Sequence, residues 1–147
     1  MNVKISCDSP EIWRIFVTAK ISQVIPVVVA QHYIAKGSPL NRENLTIISK
    51  EAFKIRGEYN TKLTELIGVK AIQSISKGKI INRKNICLVC KGEQVIINAN
   101  ANNFNIQTAG IALMNGVKGQ IIKVKNSRSG RVISAQIKTS TSVEINL

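Results

Sequence analysis

The sequence predicts a mainly β protein with short helices only, and three observations carry that prediction. A 16-residue segment recurs at an offset of 41 residues. After Cys90 the apolar residues alternate with a period of two, the spacing of half-buried strands. Apolar residues make up 44% of the 147-residue chain with only 4% aromatics, so an aliphatic core can form, which argues against a wholly disordered chain. The length suits one ordinary domain or two small ones.

Taken in order, residues 12–30 are the most apolar stretch. Arg14, Lys20, Ser22 and Gln23 interrupt it, which excludes a membrane span. Its uninterrupted part, residues 24–30, contains Pro26 and is too short for a signal core, so it reads as a buried strand. Residues 1–4 are not followed by an apolar run either. No export signal is expected, which fits a cytoplasmic chain or a mature or trimmed form.

The repeat follows. Residues 30–45 read AQHYIAKGSPLNRENL and residues 71–86 read AIQSISKGKIINRKNI. Ala30, Ile34, Lys36, Gly37, Asn41, Arg42 and Asn44 recur as Ala71, Ile75, Lys77, Gly78, Asn82, Arg83 and Asn85. Lys-Gly ends a strand in a tight turn where glycine can take a positive φ. A buried Leu40 or Ile81 follows, and Asn41 or Asn82 caps one helical turn. Leu45 or Ile86 then packs inward. Two copies suit a pseudo-twofold compact β unit rather than a solenoid. Between them, Asn60 or Thr61 is expected to cap a short helix. Leu63, Leu66 and Ile67 would share one face of it, and Gly68 would end it.

Beyond Cys90, strands are expected around Val95 and Ile97, around Phe104, Ile106 and Thr108, around Ile122 and Val124, around Ile133, Ala135 and Ile137, and around Val143, Ile145 and Leu147. Turns are expected at residues 100–103, at Asn115-Gly116, at Gly119 and at residues 127–130. The last ends in Gly130 and joins two strong strands as a hairpin. Structural turn glycines are thus Gly37, Gly78, Gly116, Gly119 and Gly130.

The chemistry available is narrow. Lys and Arg number 21 against 8 acids, a net charge of +13, spread evenly: 14 basic and 6 acidic residues before position 91, 7 and 2 after it. Without an aromatic platform beside the cations, stacking on single-stranded nucleic acid lacks material, and the charge reads as a solvated basic surface. Lys123, Lys125 and Arg128 are the most pointed cations. The first two share the outer face of the last hairpin and the third sits at its tip, where they could meet an acidic partner or guard a sheet edge. His32 is the sole histidine and Asp8 the sole aspartate. No nucleophile elbow, phosphate loop or dinucleotide motif is present, so no enzymatic activity and no cofactor are expected. Cys87 and Cys90 form a CxxC. Zinc would need a second pair of ligands from Cys7 and His32, whose spacing fits nothing standard. Structural thiols, or a disulfide if the compartment oxidises, are the expectation.

At the repeat and the last strands the sequence resembles the flagellar basal-body P-ring formation proteins, the FlgA family, which carry a SAF domain. The matching residues are Val27 to Ala30, Ile34 to Gly37, Leu40, Asn44, Leu45, Ile67, Gly68, Ile75 to Gly78 and Ile81. The most specific are residues 115–126, NGVKGQIIKVKN, followed by Ser129 to Val132 and by Val143 to Ile145. The SAF pattern alone is shared with sialic acid synthases, type III antifreeze proteins and pilus assembly proteins. The resemblance implies a SAF, or β-clip, domain with short helices over residues 24–90, followed by a packed antiparallel β domain over residues 91–147. Residues 1–23, with Cys7, Pro10 and Trp13, look like the remnant of a preceding N-terminal domain. Cys87 and Cys90 lie outside the family pattern. The implied function is that of a non-catalytic periplasmic assembly chaperone that binds the flagellar P-ring subunit, with no nucleic-acid partner and no membrane insertion. A carbohydrate-binding or pilus-assembly SAF module is the alternative.

Overall fold

The computed structural model describes residues 1–101 and 104–146. They fold into strands joined by turns, with only three-residue helical segments, so the mainly β expectation holds. β1 (Asn2–Cys7) and β2 (Trp13–Thr18) form an antiparallel hairpin. β3 (Val24–Ala30) pairs antiparallel with β4 (Leu45–Glu51), and β5 (Lys70–Ala71) with β6 (Ile86–Cys87). The remaining strands are β7 (Gln94–Ala101), β8 (Phe104–Ala112), β9 (Ile121–Asn126), β10 (Val132–Ile137) and β11 (Ser142–Asn146). They close into a small barrel in the order β10, β11, β7, β8, β9. Its pairs are antiparallel except β7 with β11, which run parallel.

The 41-residue repeat appears in the hydrogen bonds as a pseudo-twofold exchange. The Gly37 N–H donates to the Ala71 carbonyl and the Gly78 N–H to the Ala30 carbonyl, both at 2.7 Å. Ala30 N–H donates to Lys79 O, and Ala71 N–H to Ser38 O. Ile34 and Ile75 bond reciprocally. Each copy thus supplies the partner for the other's backbone polar groups, which cannot be left unpaired in a core. Gly37 and Gly78 take φ of +83° and +79°, a left-handed conformation that glycine adopts without a Cβ penalty. Asn41 accepts from the N–H groups of Glu43 and Asn44, and Asn82 from that of Lys84, as caps of single turns. Inward, Ala30, Ile34, Leu40 and Leu45 meet Ala71, Ile75, Ile81 and Ile86 in one buried cluster.

A third copy of the turn lies in the barrel at the same offset. Ala112, Lys118, Gly119, Ile121, Ile122, Lys125 and Asn126 match Ala71, Lys77, Gly78, Ile80, Ile81, Lys84 and Asn85. Gly119 has φ +83°, and the Gln120 N–H closes the turn on Val117 O as Lys79 does on Ser76 O. Gly119 N–H donates to Ile137 O, so this copy closes on the barrel rather than on another repeat. Val124 stands where Arg83 stands in the second copy, and the chain continues as β9 instead of making a capped turn. Gly116 is therefore not the turn residue expected. It sits in a β-bridge to Val89, and a Cβ there would fall 2.6 Å from side-chain atoms of both Ile122 and Ile137. Close packing explains this glycine, and Gly119 makes the turn.

Residues 59–69 also differ from expectation. Only Leu63–Glu65 is helical, as a single 3-10 turn whose N-cap, Lys62, makes no side-chain bond. Asn60 is occupied elsewhere: its carbonyl accepts from Val28 N–H and its amide donates to Ile81 O at 2.8 Å. Leu66 is buried but Ile67 is exposed, so no continuous helical face forms. The turn expected over residues 100–103 falls largely on residues 102 and 103, outside the described residues. Leu147 lies outside them too.

A second buried cluster fills the barrel: Val89, Val95, Ile97, Ala112, Ile122, Val124, Ala135, Ile137 and Val143. Leu88 packs against both clusters, and Val117 of the third turn packs against the first.

Candidate functional site

The β9–β10 hairpin orders its charges by strand alternation. Ile122 and Val124 are buried, which turns Lys123 and Lys125 outward. Lys125 lies opposite Val132 on β10 and Ile111 on β8, and Lys123 lies opposite Ser134. Val132 is 52% exposed and Ile111 41%, so the cations stand beside apolar surface. Asn126 accepts from the N–H groups of Arg128 and Ser129, and Gly130 at φ +70° completes the tip, which leaves Arg128 exposed. Among the described residues, Lys123, Lys125 and Arg128 make no ion pair. β9 and β10 are paired on both sides, so the hairpin supplies no free edge strand.

A groove runs along the seam between the two cores. One lobe holds about 550 Å³ and the other about 620 Å³. Arg83, Ile86, Val117 and Lys118 line both, and so form the waist between them. Leu88 belongs to the first lobe and Lys84 to the second. The floor is aliphatic and the rim is basic. Arg83, Lys84 and Lys118 have no carboxylate within ion-pair distance among the described residues. Lys138, also on the rim, is held by Glu144 at 3.2 Å.

Two links span the seam. Lys70 of β5 forms an ion pair with Glu93, whose other oxygen accepts from the Cys90 backbone N–H at 3.0 Å. Burial pushes the Glu93 carboxyl up, but the Lys70 hydrogen bond, the Cys90 N–H and the Lys70 charge together hold it below the usual carboxylate value. A disulfide joins Cys87 and Cys90, Cα atoms 5.2 Å apart, around the connector residues Leu88 and Val89. Cys7 is a free thiol that donates to Ser9 O. His32 is exposed, and no cluster of three His, Cys, Asp or Glu side chains occurs among the described residues. Among the described residues no helix is long and apolar enough to cross a membrane.

Sequence reasoning singled out the hairpin cations but missed the groove. Its signals were present: Arg83 stands in the repeat, and Lys118-Gly119 repeats Lys77-Gly78 at the same 41-residue offset. Neither announces that Arg83 and Ile86 of the second copy line one groove with Val117 and Lys118 of the third turn.

A family model described as a chaperone for flagella basal body P-ring formation matches residues 25–145. No curated protein matches the chain. Among solved structures, Salmonella FlgA in its open form aligns with 99% of this chain and 71% of that one, at 20% identity and a TM-score of 0.59. The closed form of the same protein aligns with 99% and 74%, at 19% identity and a TM-score of 0.47. The flagellar protein FlgA of Thermotoga maritima aligns with 91% and 48%, at 18% identity and a TM-score of 0.45. At 20% identity the likeness to the open form is one of fold.

Proposed function

Because this chain belongs to the family of chaperones for flagellar basal-body P-ring formation, we propose that it works in the periplasm by binding the P-ring subunit reversibly through the outer face of the β9–β10 hairpin. The observation that carries this reading is the closed barrel. A basic face on an open sheet can serve to block edge-to-edge pairing, but a closed barrel has no edge to protect. Among the described residues Lys123, Lys125 and Arg128 make no ion pair, and they stand beside the exposed Val132 and Ile111, a mixed surface suited to a contact that forms and releases. The Cys87–Cys90 disulfide fits the oxidising periplasm.

Exposed charges steer encounter more than they hold a complex. The test is the association rate of the P-ring subunit with the protein in which Lys123, Lys125 and Arg128 are all changed to Glu. Association slows most at low salt while the fold is kept. Unchanged association kinetics in the folded triple variant would remove the hairpin from the mechanism.

A further inference from the structure

We propose that the seam groove is a second binding site, which takes an extended acidic segment of polypeptide, its apolar side chains on the floor and its carboxylates on the rim. This deepens the client reading above and rests on it.

Arg83 and Lys118 meet at the waist of the groove, with Lys84 beside them, and none has a carboxylate partner among the described residues. Two cations at the seam are paired, Lys70 with Glu93 and, on the rim of the first lobe, Lys138 with Glu144. The acids near the groove stand in separate lobes, Glu65 in the first and Glu58 in the second, and Glu65 already faces Lys62 at 3.7 Å. The waist therefore attracts anions and is not self-neutralised.

The floor selects the kind of anion. Leu88 and Val117 are partly exposed beside the buried Ile86 and offer a short aliphatic surface in the lobe that Arg83 and Lys118 also line. No aromatic residue lines either lobe among the described residues, so bases have no stacking platform. Aliphatic side chains flanked by carboxylates match both surfaces at once. Each lobe lies within the roughly 300–1,000 Å³ usual for binding pockets, and their shared waist makes one continuous path for an extended chain.

The experiment titrates the protein with three labelled probes: a synthetic peptide alternating Glu and Leu, one alternating Lys and Leu, and polyglutamate. The Glu–Leu peptide is expected to bind most tightly, with amide shifts at Ile86, Leu88 and Val117. Arg83→Glu with Lys118→Glu should weaken it about ten-fold, the loss of two exposed charge contacts and their replacement by repulsion. Arg83→Gln with Lys118→Gln, which adds no repulsion to an exposed pair, should weaken it less and guards against a folding artefact. Equal binding of polyglutamate, equal binding of the Lys–Leu peptide, or no effect of either double variant overturns the proposal. The P-ring subunit separates this from the client reading. If it binds wild type and reversed variant alike, the groove is not its site and the hairpin reading stands. If it binds neither while the peptide behaves as expected, the client reading fails and the groove remains an acidic-peptide site.

Discussion

Glu93→Gln tests whether the seam is held by an ion pair or by packing alone. Glu93 accepts from Lys70 on one core and from the Cys90 N–H at 3.0 Å on the connector. The ion pair is partly exposed, so it is worth roughly 0.2–1 kcal/mol. The backbone bond falls from charge-assisted to neutral, a loss of about 1 kcal/mol. The sum, roughly 1–2 kcal/mol, corresponds to a fall in Tm of about 3–8 °C for a chain of this size. The pH dependence gives the sharper test. The folded carboxyl lies below its ordinary value of 4.5, so the stabilisation is complete above that value and is lost as pH falls through the folded one. Denaturant unfolding followed from pH 7 to pH 2.5 should show the wild-type advantage shrink once pH falls below the ordinary glutamate value of 4.5. Lys70→Met with Glu93→Gln should couple by about 0.5 kcal/mol or more. A wild-type advantage that stays constant across this range, or additive single variants, would refute the reasoning.

Further outcomes follow from other parts of the fold. Gly37→Ala forces a side chain into φ +83° with open space around it and should cost about 1–2 kcal/mol, whereas Gly116→Ala costs about 1–3 kcal/mol by crowding Ile122 and Ile137; chemical denaturation measures both, and a neutral Gly116→Ala would remove the packing explanation. Reduction of the Cys87–Cys90 disulfide, whose sequence separation is 3, should lower stability by about 2 kcal/mol on the chain-entropy relation, read as a shift of the urea midpoint with and without reductant. The β1–β2 hairpin has exposed Trp13, Ile15 and Val17 and is tied to the rest mainly through Gln23, Ser22 and Lys20. A two-stranded hairpin is marginal on its own, so its amides should exchange far faster than those of β3 or β7 in native-state hydrogen exchange; equal protection would contradict this.

Much of this protein was legible in its residues because its local chemistry repeats. Lys-Gly pairs marked turns at Gly37 and Gly78, since a left-handed residue leaves a compositional trace. Asn41 and Asn82 marked caps for the same reason. Alternation placed Ile122, Val124, Ala135 and Ile137 inside and Lys123 and Lys125 outside, because strand geometry turns every second side chain the same way. What the residues could not show was set by partners distant in sequence. Asn60 reads as a cap until Val28 and Ile81 claim its polar groups and the expected helix shrinks to one turn. Gly116 reads as a turn until Ile122 and Ile137 close over it. The parallel pairing of β7 with β11 closes the barrel and removes the sheet edge, which no alternation pattern encodes, since alternation fixes faces and not neighbours. The groove belongs to the same class: Arg83 and Lys118 are 35 positions apart, and only the docking of the third turn onto the first core, through Val117, brings them to one seam.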